Sequence, residues 1–216
     1  MTSTREPADV TVLIDAGLDR EAAETGAGLP SPDRGAAMEP LAQLAALGPH
    51  LAGVAGGIRG DQLDLPTPCA AFSVRDVLEH MISGATAFAA AFRGQAPADP
   101  RLTDPLGEFG PALGDLVAAI SSPGALDRTV TAPFGSVPGD TFARFVVLDG
   151  LVHGWDLAVS TGQSYDPPAA LVRAVDEFAR QTLDPLRDGA TLADAVTPAA
   201  DASPIERLAN YTGRRR

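Results

Sequence analysis

Leu148-Asp149-Gly150-Leu151-Val152-His153-Gly154-Trp155-Asp156-Leu157-Ala158-Val159-Ser160 decides how the rest of this chain is read. Apolar residues occupy most sides of the stretch, as in a helix enclosed by a bundle rather than laid on a surface. One polar stripe runs through it: Asp149, His153, Asp156 and Ser160, at steps of four, three and four. A helix turns every ~3.6 residues, so this spacing stacks the four on one face. Asp149 and His153 lie about 6 Å apart along the axis, at ~1.5 Å per residue. A carboxylate and an imidazole one turn apart can chelate a metal ion. Buried polar pairs at this spacing also bond simply to each other, so a third ligand from elsewhere is needed to give the pair weight.

Outward from that helix, the composition narrows the function classes. The chain has 216 residues, a net charge of −12, and 16 basic residues that are all Arg. Nucleic acid and anionic membranes need a basic surface, so neither is expected as a partner. The basic cluster Arg214–Arg216 reads as a solvated terminal tripeptide. One cysteine excludes an internal disulfide and fits a reducing compartment. The chain lacks an apolar run of the ~20 residues a membrane span needs, and its first residues lack a signal-peptide core. A cytoplasmic location is the expectation. Residues 1–37 mix Thr, Pro, Asp, Glu and Gly and read as a disordered extension; residues 38–216 read as the folded domain.

The remaining elements are helical. Leu41, Leu44, Leu47, Leu51 and Val54 recur at steps of three and four, predicting a helix over 40–58 with Gly48-Pro49 inside it. Ser73 and Asp76 form a capping box that opens a second helix over 74–93, closed by Gly94. His80 borders its apolar stripe; alone, such a histidine is more often a hydrogen-bonded boundary residue than a ligand. Asp76, one turn before His80, is explained by the cap. Residues 95–108 read as loop and 109–122 as a shorter helix. Arg128–Thr131 alternates and predicts a small hairpin with Phe134-Gly135-Ser136. Asp140 is expected to cap the long helix of 141–161, which Gly162 ends. Asp166-Pro167-Pro168 opens a further helix, and Ser203-Pro204-Ile205-Glu206 caps a last short one. The fold class is all-α: a four-helix bundle with short accessory helices.

These motifs resemble a known family. Pro66-Thr67-Pro68-Cys69 followed by Val74–His80, then Val152-His153-Gly154-Trp155-Asp156-Leu157-Ala158, then Ala202–Leu208, fall in the order seen in bacterial DinB-like proteins. That group is related to the N-terminal domain of mycothiol-dependent maleylpyruvate isomerase. The resemblance spans about residues 38–213. It implies a DinB-like four-helix bundle with a metal site between helices, and it supplies the third ligand: His80, with Asp149 and His153. Three protein ligands and an open position fit a catalytic divalent ion, Zn²⁺ above all, with Ni²⁺ and Fe²⁺ also suited to two His and a carboxylate. The isomerase carries Glu where this chain has Asp149. It also has a further C-terminal domain with no counterpart after the last short helix here, so maleylpyruvate isomerisation is not carried over.

By resemblance, a small-molecule thiol such as mycothiol would react as a metal-bound thiolate in a transferase or isomerase. A metal-dependent hydrolase and a non-enzymatic bundle that binds a small ligand or a partner are the alternatives. No catalytic residue beyond the ligands is identified. Asp156 reads either as the group that orients His153 or as a buried acid bonded to backbone or Arg. Trp155 reads as core, Cys69 as a small buried thiol, and His50 as a surface or capping histidine. Arg75 and Arg144 are candidates to meet an anionic substrate. A homodimer through an exposed helix face is a further expectation, and the sequence does not locate that face.

Overall fold

Six helices and one two-stranded hairpin make up the regular structure in the computed structural model, which describes residues 38–70, 72–96, 102–132, 135–184, 187 and 193–216. The expected extension at 1–37 lies outside the described residues, as do Pro133 and Phe134 of the expected hairpin. The helices are α1 (Pro40–Gly57), α2 (Val74–Arg93), α3 (Pro105–Ile120), α4 (Gly139–Thr161), α5 (Ala169–Thr182) and α6 (Pro204–Tyr211). Strands β1 (Thr129–Ala132) and β2 (Gly135–Pro138) pair antiparallel, with Val130 opposite Val137. The architecture is an all-α bundle. Helices α1 and α4 pack together, α2 packs on α3, and α5 and α6 close over another side of α4. None of the described helices is long and apolar enough to cross a membrane.

Helix α4 is buried along nearly its whole length, from Gly139 to Ala158. Phe142 meets Phe88 edge-on with ring centroids 5.0 Å apart, and Phe145 meets Phe178 at 4.8 Å. Trp155 is core, as expected. Helix α1 continues through Pro49 and turns Leu44, Leu47, Leu51 and Val54 inward, whereas Leu41 is exposed. Helix α2 has the boundaries its capping signals predict. Asp76 N–H donates to Ser73 Oγ (3.2 Å), Ser73 N–H donates to Asp76 Oδ2 (2.8 Å), and Gly94 closes the helix at φ 68°.

Three helix starts differ from expectation, each for a physical reason. Helix α3 begins at Pro105, four residues before the predicted start. Asp104 caps it by accepting from Gly107 N–H at 3.1 Å, and Glu108 Oε1 accepts from Asp104 N–H at 2.9 Å. The Asp-Pro pair is an N-cap followed by proline at the first helical position; Gly107, Gly110 and Pro111 obscure the apolar period there. Helix α4 begins at Gly139, so Asp140 lies inside its first turn rather than before it, where its Oδ1 accepts from Thr141 N–H at 2.7 Å. Gly139 N–H and Asp140 N–H donate to Arg128 O (2.7 Å) and Leu126 O (3.1 Å), so the loop before the hairpin satisfies the first two amides. A Cβ at residue 139 would lie 2.5 Å from Ala125 O, so only glycine fits this junction. Helix α5 starts after Pro168 with no side-chain cap, and Asp166 stands exposed outside it.

The box at α2 is a stability feature separable from the rest. Ser73→Ala should lower unfolding free energy by about 1 kcal/mol, read from the midpoint of urea denaturation, with the helical signal of the folded state unchanged.

Candidate functional site

Helix α2 carries His80 and helix α4 carries Asp149, His153, Asp156 and Ser160. The two helices bring His80, Asp149 and His153 together. His80 Nε2 lies 3.6 Å from Asp149 Oδ1, and His153 Nε2 lies 3.4 Å from the same oxygen. One ligand-type atom from each of the three residues falls within 4.8 Å of the others. The imidazole centroids are 5.1 Å apart, and Phe72 stands edge-on to His80 at 6.1 Å. All three residues are buried, with Asp149 8% and His153 0% exposed. Ser160 does not join them: its hydroxyl donates to the Asp156 backbone carbonyl at 2.8 Å.

The far side of His153 is fixed by Asp156, whose Oδ2 lies 3.0 Å from His153 Nδ1. With Nδ1–H donating to that carboxylate, Nε2 is left as the lone-pair atom facing Asp149 and His80. This is the arrangement in which a carboxylate sets the tautomer and orientation of a metal-binding imidazole. Asp156 is in turn held by Arg214, whose Nε and Nη2 donate to Oδ2 at 3.3 and 3.2 Å. The expectation of a solvated Arg214–Arg216 tripeptide is therefore corrected at its first residue. Arg214 is 1% exposed, whereas Arg216 is on the surface beside Glu206. The cause is local. Gly213 takes φ 95°, which turns the chain inward after α6, and Arg214 N–H donates to Ala209 O at 3.0 Å. Three consecutive arginines conceal which one turns in; the glycine before the first, and a buried Asp156 that needs a counter-charge, are the only pointers in the sequence.

A carboxylate oxygen and two imidazole nitrogens converging in a buried space require positive charge between them. Among the described residues Asp149 Oδ1 has no hydrogen-bond partner. Burial pushes the Asp149 carboxyl up, but the charges of the His153 and His80 imidazoles beside it outweigh that and hold it well below the usual carboxylate range. Burial likewise pushes His153 down. The Asp149 charge and the hydrogen bond to Asp156 overcome that and raise it, against the opposing charge of Arg214. A proton or a metal ion would each satisfy the group.

Cys69, His153 and Asp156 also offer ligand-type atoms within 4.8 Å of one another. In that set Asp156 Oδ2 already serves His153 and Arg214, which leaves Asp156 Oδ1, buried and with no hydrogen-bond partner among the described residues. Cys69 is 1% exposed and not in a disulfide, in keeping with a small buried thiol. Arg144 donates to Met38 O at 3.0 Å, and Arg75 lies 3.8 Å from Asp64. His50 packs edge-on against Tyr165, with centroids 6.3 Å apart.

Comparison with known proteins covers the same residues. The family described as the mycothiol maleylpyruvate isomerase N-terminal domain matches residues 44–158, a span that includes His80, Asp149, His153 and Asp156 but not Arg214. Two uncharacterized proteins of Mycobacterium tuberculosis, from strains CDC 1551 / Oshkosh and ATCC 25618 / H37Rv, are each 32% identical over 183 residues, covering 82% of this chain and 98% of theirs. The crystal structure of the mycothiol-dependent maleylpyruvate isomerase is similar in fold, with a TM-score of 0.52 at 15% identity over 63% of this chain. The chain spans 66% of the length of that isomerase structure. A DinB-like protein from Bacillus subtilis superposes with a TM-score of 0.49 at 16% identity, over 61% of this chain and 96% of that one.

The Asp156–Arg214 pair generates a direct test. Arg214→Ala leaves a buried carboxylate without its cation, so it should cost about 3–5 kcal/mol, against within ~0.5 kcal/mol for a solvated arginine. Combining Asp156→Asn with Arg214→Met should cost less than the two single changes summed, as read by chemical denaturation of the four proteins.

Proposed function

Since the chain belongs to the mycothiol maleylpyruvate isomerase N-terminal domain family, we propose that His80, Asp149 and His153 hold one divalent metal ion and that the protein moves a low-molecular-weight thiol such as mycothiol onto a small electrophile. The observation that carries this reading is the buried Asp149 Oδ1, which faces two imidazole nitrogens at 3.4 and 3.6 Å with no hydrogen-bond partner among the described residues. Two histidines and a carboxylate suit Zn²⁺ first and also Fe²⁺ or Ni²⁺. When bound, such an ion supplies Lewis acidity, lowering the pKa of a thiol placed beside it so that sulfur reacts as thiolate.

The chain's own residues do the positioning. Asp156 holds the His153 proton on Nδ1 and so presents Nε2 to the centre. Arg214 holds the Asp156 carboxylate in place through Oδ2 without competing for the ligand atoms. The burial of all three ligands excludes bulk water, which strengthens electrostatic interactions at the centre. In a transfer, a sulfur–carbon bond forms, the bond from carbon to its leaving group breaks with the electron pair, and the thiol proton passes to solvent. In an isomerisation, sulfur adds to one alkene carbon and the adjacent carbon takes a proton; rotation and the reverse elimination return the thiol.

Elemental analysis of tag-free protein tests the metal. Wild type should carry about one equivalent of metal, since the group offers one set of three ligands, and His153→Ala and His80→Ala should carry almost none. Metal-loaded protein incubated with mycothiol and 1-chloro-2,4-dinitrobenzene should release chloride and form the thioether. Turnover of an ester at a rate indifferent to thiol would instead mark a hydrolase.

The pH dependence follows from the shifts. In the metal-free protein Asp149 is lowered, so its contribution to stability is present above its unfolded value of ~3.9 and is lost as pH falls through the folded one. His153 is raised, so its contribution is present below its unfolded value of ~6.5 and is lost as pH rises through the folded one. The metal-free group thus stabilises most between about pH 4 and 6.5. A metal ion displaces that proton, so the gain in Tm on adding Zn²⁺ should be small near pH 5.5 and larger near pH 8. Equal gains at both would contradict binding at these residues.

A further inference from the structure

Beside the centre lies a half-open cavity of about 330 Å³ lined by α1, α2, α3 and α4. Leu47 and Leu51 of α1, Met81 and Phe88 of α2, and Phe109 and Leu116 of α3 form its walls. Asp149 is the one charged residue among those that line it, so the cavity borders directly on the group described above. Glycines on all four helices complete the lining, and a Cβ added at Gly114 of α3 would meet no atom within 4 Å. Gly110 and Gly114 are themselves exposed, so the space opens to the surface along α3. Its volume is that of a small-molecule site, typically ~300–1,000 Å³.

The chemistry of the lining selects the ligand. Leucine, methionine, valine, phenylalanine, alanine and glycine offer apolar contact and no side-chain hydrogen-bond donor. An anionic group placed there would lose its hydration against these walls with no side-chain donor to replace it. A neutral apolar group gains from the same burial. We propose that this cavity is the acceptor pocket of the site and takes a neutral, largely apolar small molecule, an aromatic or alkyl group with its reactive atom towards Asp149, and that it discriminates against dicarboxylates. The role as acceptor pocket rests on the thiol-transfer reading; the capacity to bind a neutral apolar molecule does not.

The neutral fluorophore N-phenyl-1-naphthylamine, titrated into the full chain, tests the pocket. Wild type should bind it saturably, 1-decanol should displace it, and succinate at the same concentration should not. Ala85→Leu extends a buried lining side chain of α2 into the space, and Gly114→Leu does so from α3. Each should weaken probe binding at least tenfold while thermal unfolding stays cooperative. Because the two changes sit on different helices, failure of one to fold leaves the other to decide. Wild-type binding unaffected by either folded variant, no saturable binding at all, or displacement by succinate as effective as by decanol would overturn the proposal. The fate of the thiol-transfer reading is read separately. Probe binding kept in His153→Ala, with metal lost, supports a pocket independent of the ion. A wild type that holds no metal but binds the probe in this pattern removes thiol transfer and leaves the pocket standing.

Discussion

Helix α4 is buried along nearly its whole length, so the polar side chains it carries are set against other parts of the chain. Asp149 is answered by the two imidazoles, His153 by Asp149 and Asp156, and Asp156 by Arg214. The order matters energetically. A buried ion pair returns little net stability, but breaking one leaves an uncompensated charge that costs several kcal/mol. The chain therefore depends less on the strength of these contacts than on none of them being missing. The packing around α4, with Phe142 and Phe145 on its neighbours and α5 and α6 closing over it, keeps that network dry.

Much of this was readable in the sequence because it is local. The capping boxes at Ser73 and Ser203 fix where α2 and α6 begin, since both partners of each box lie within one turn. The stripe Asp149–His153–Asp156 is visible because helical period alone puts it on one face. His80 was another matter. Its place on α2 was clear, but its approach to Asp149 is a tertiary contact, and resemblance to a family supplied it where spacing did not. The starts of α3, α4 and α5 were misplaced. At α4 the first two amides are satisfied by backbone carbonyls of a preceding loop, which the Asp140 side chain, bonded to Thr141 N–H, does not record.

Arg214 and the cavity were the parts least open to reading. A partner 58 residues from Asp156 in sequence leaves no periodic trace, and a run of three arginines at a polar terminus looks like any solvated tail. The cavity is harder still, because it consists of what is missing. Glycines at positions such as 110 and 114 read as weak points in a helix, and only packing shows that they face shared space.

The contact between Arg214 and Asp156 also orders events in time. A growing polypeptide that has just completed α4 possesses all three residues of the central group, yet the acid that orients His153 still lacks its cation. That cation is added only after α5 and α6 have been made. Until then α4 has reason to stay partly hydrated, since closing the bundle early would strand a carboxylate in an apolar interior. The turn after α6 thus acts as a latch on α4, supplying from a distant part of the chain the cation that a buried Asp156 requires.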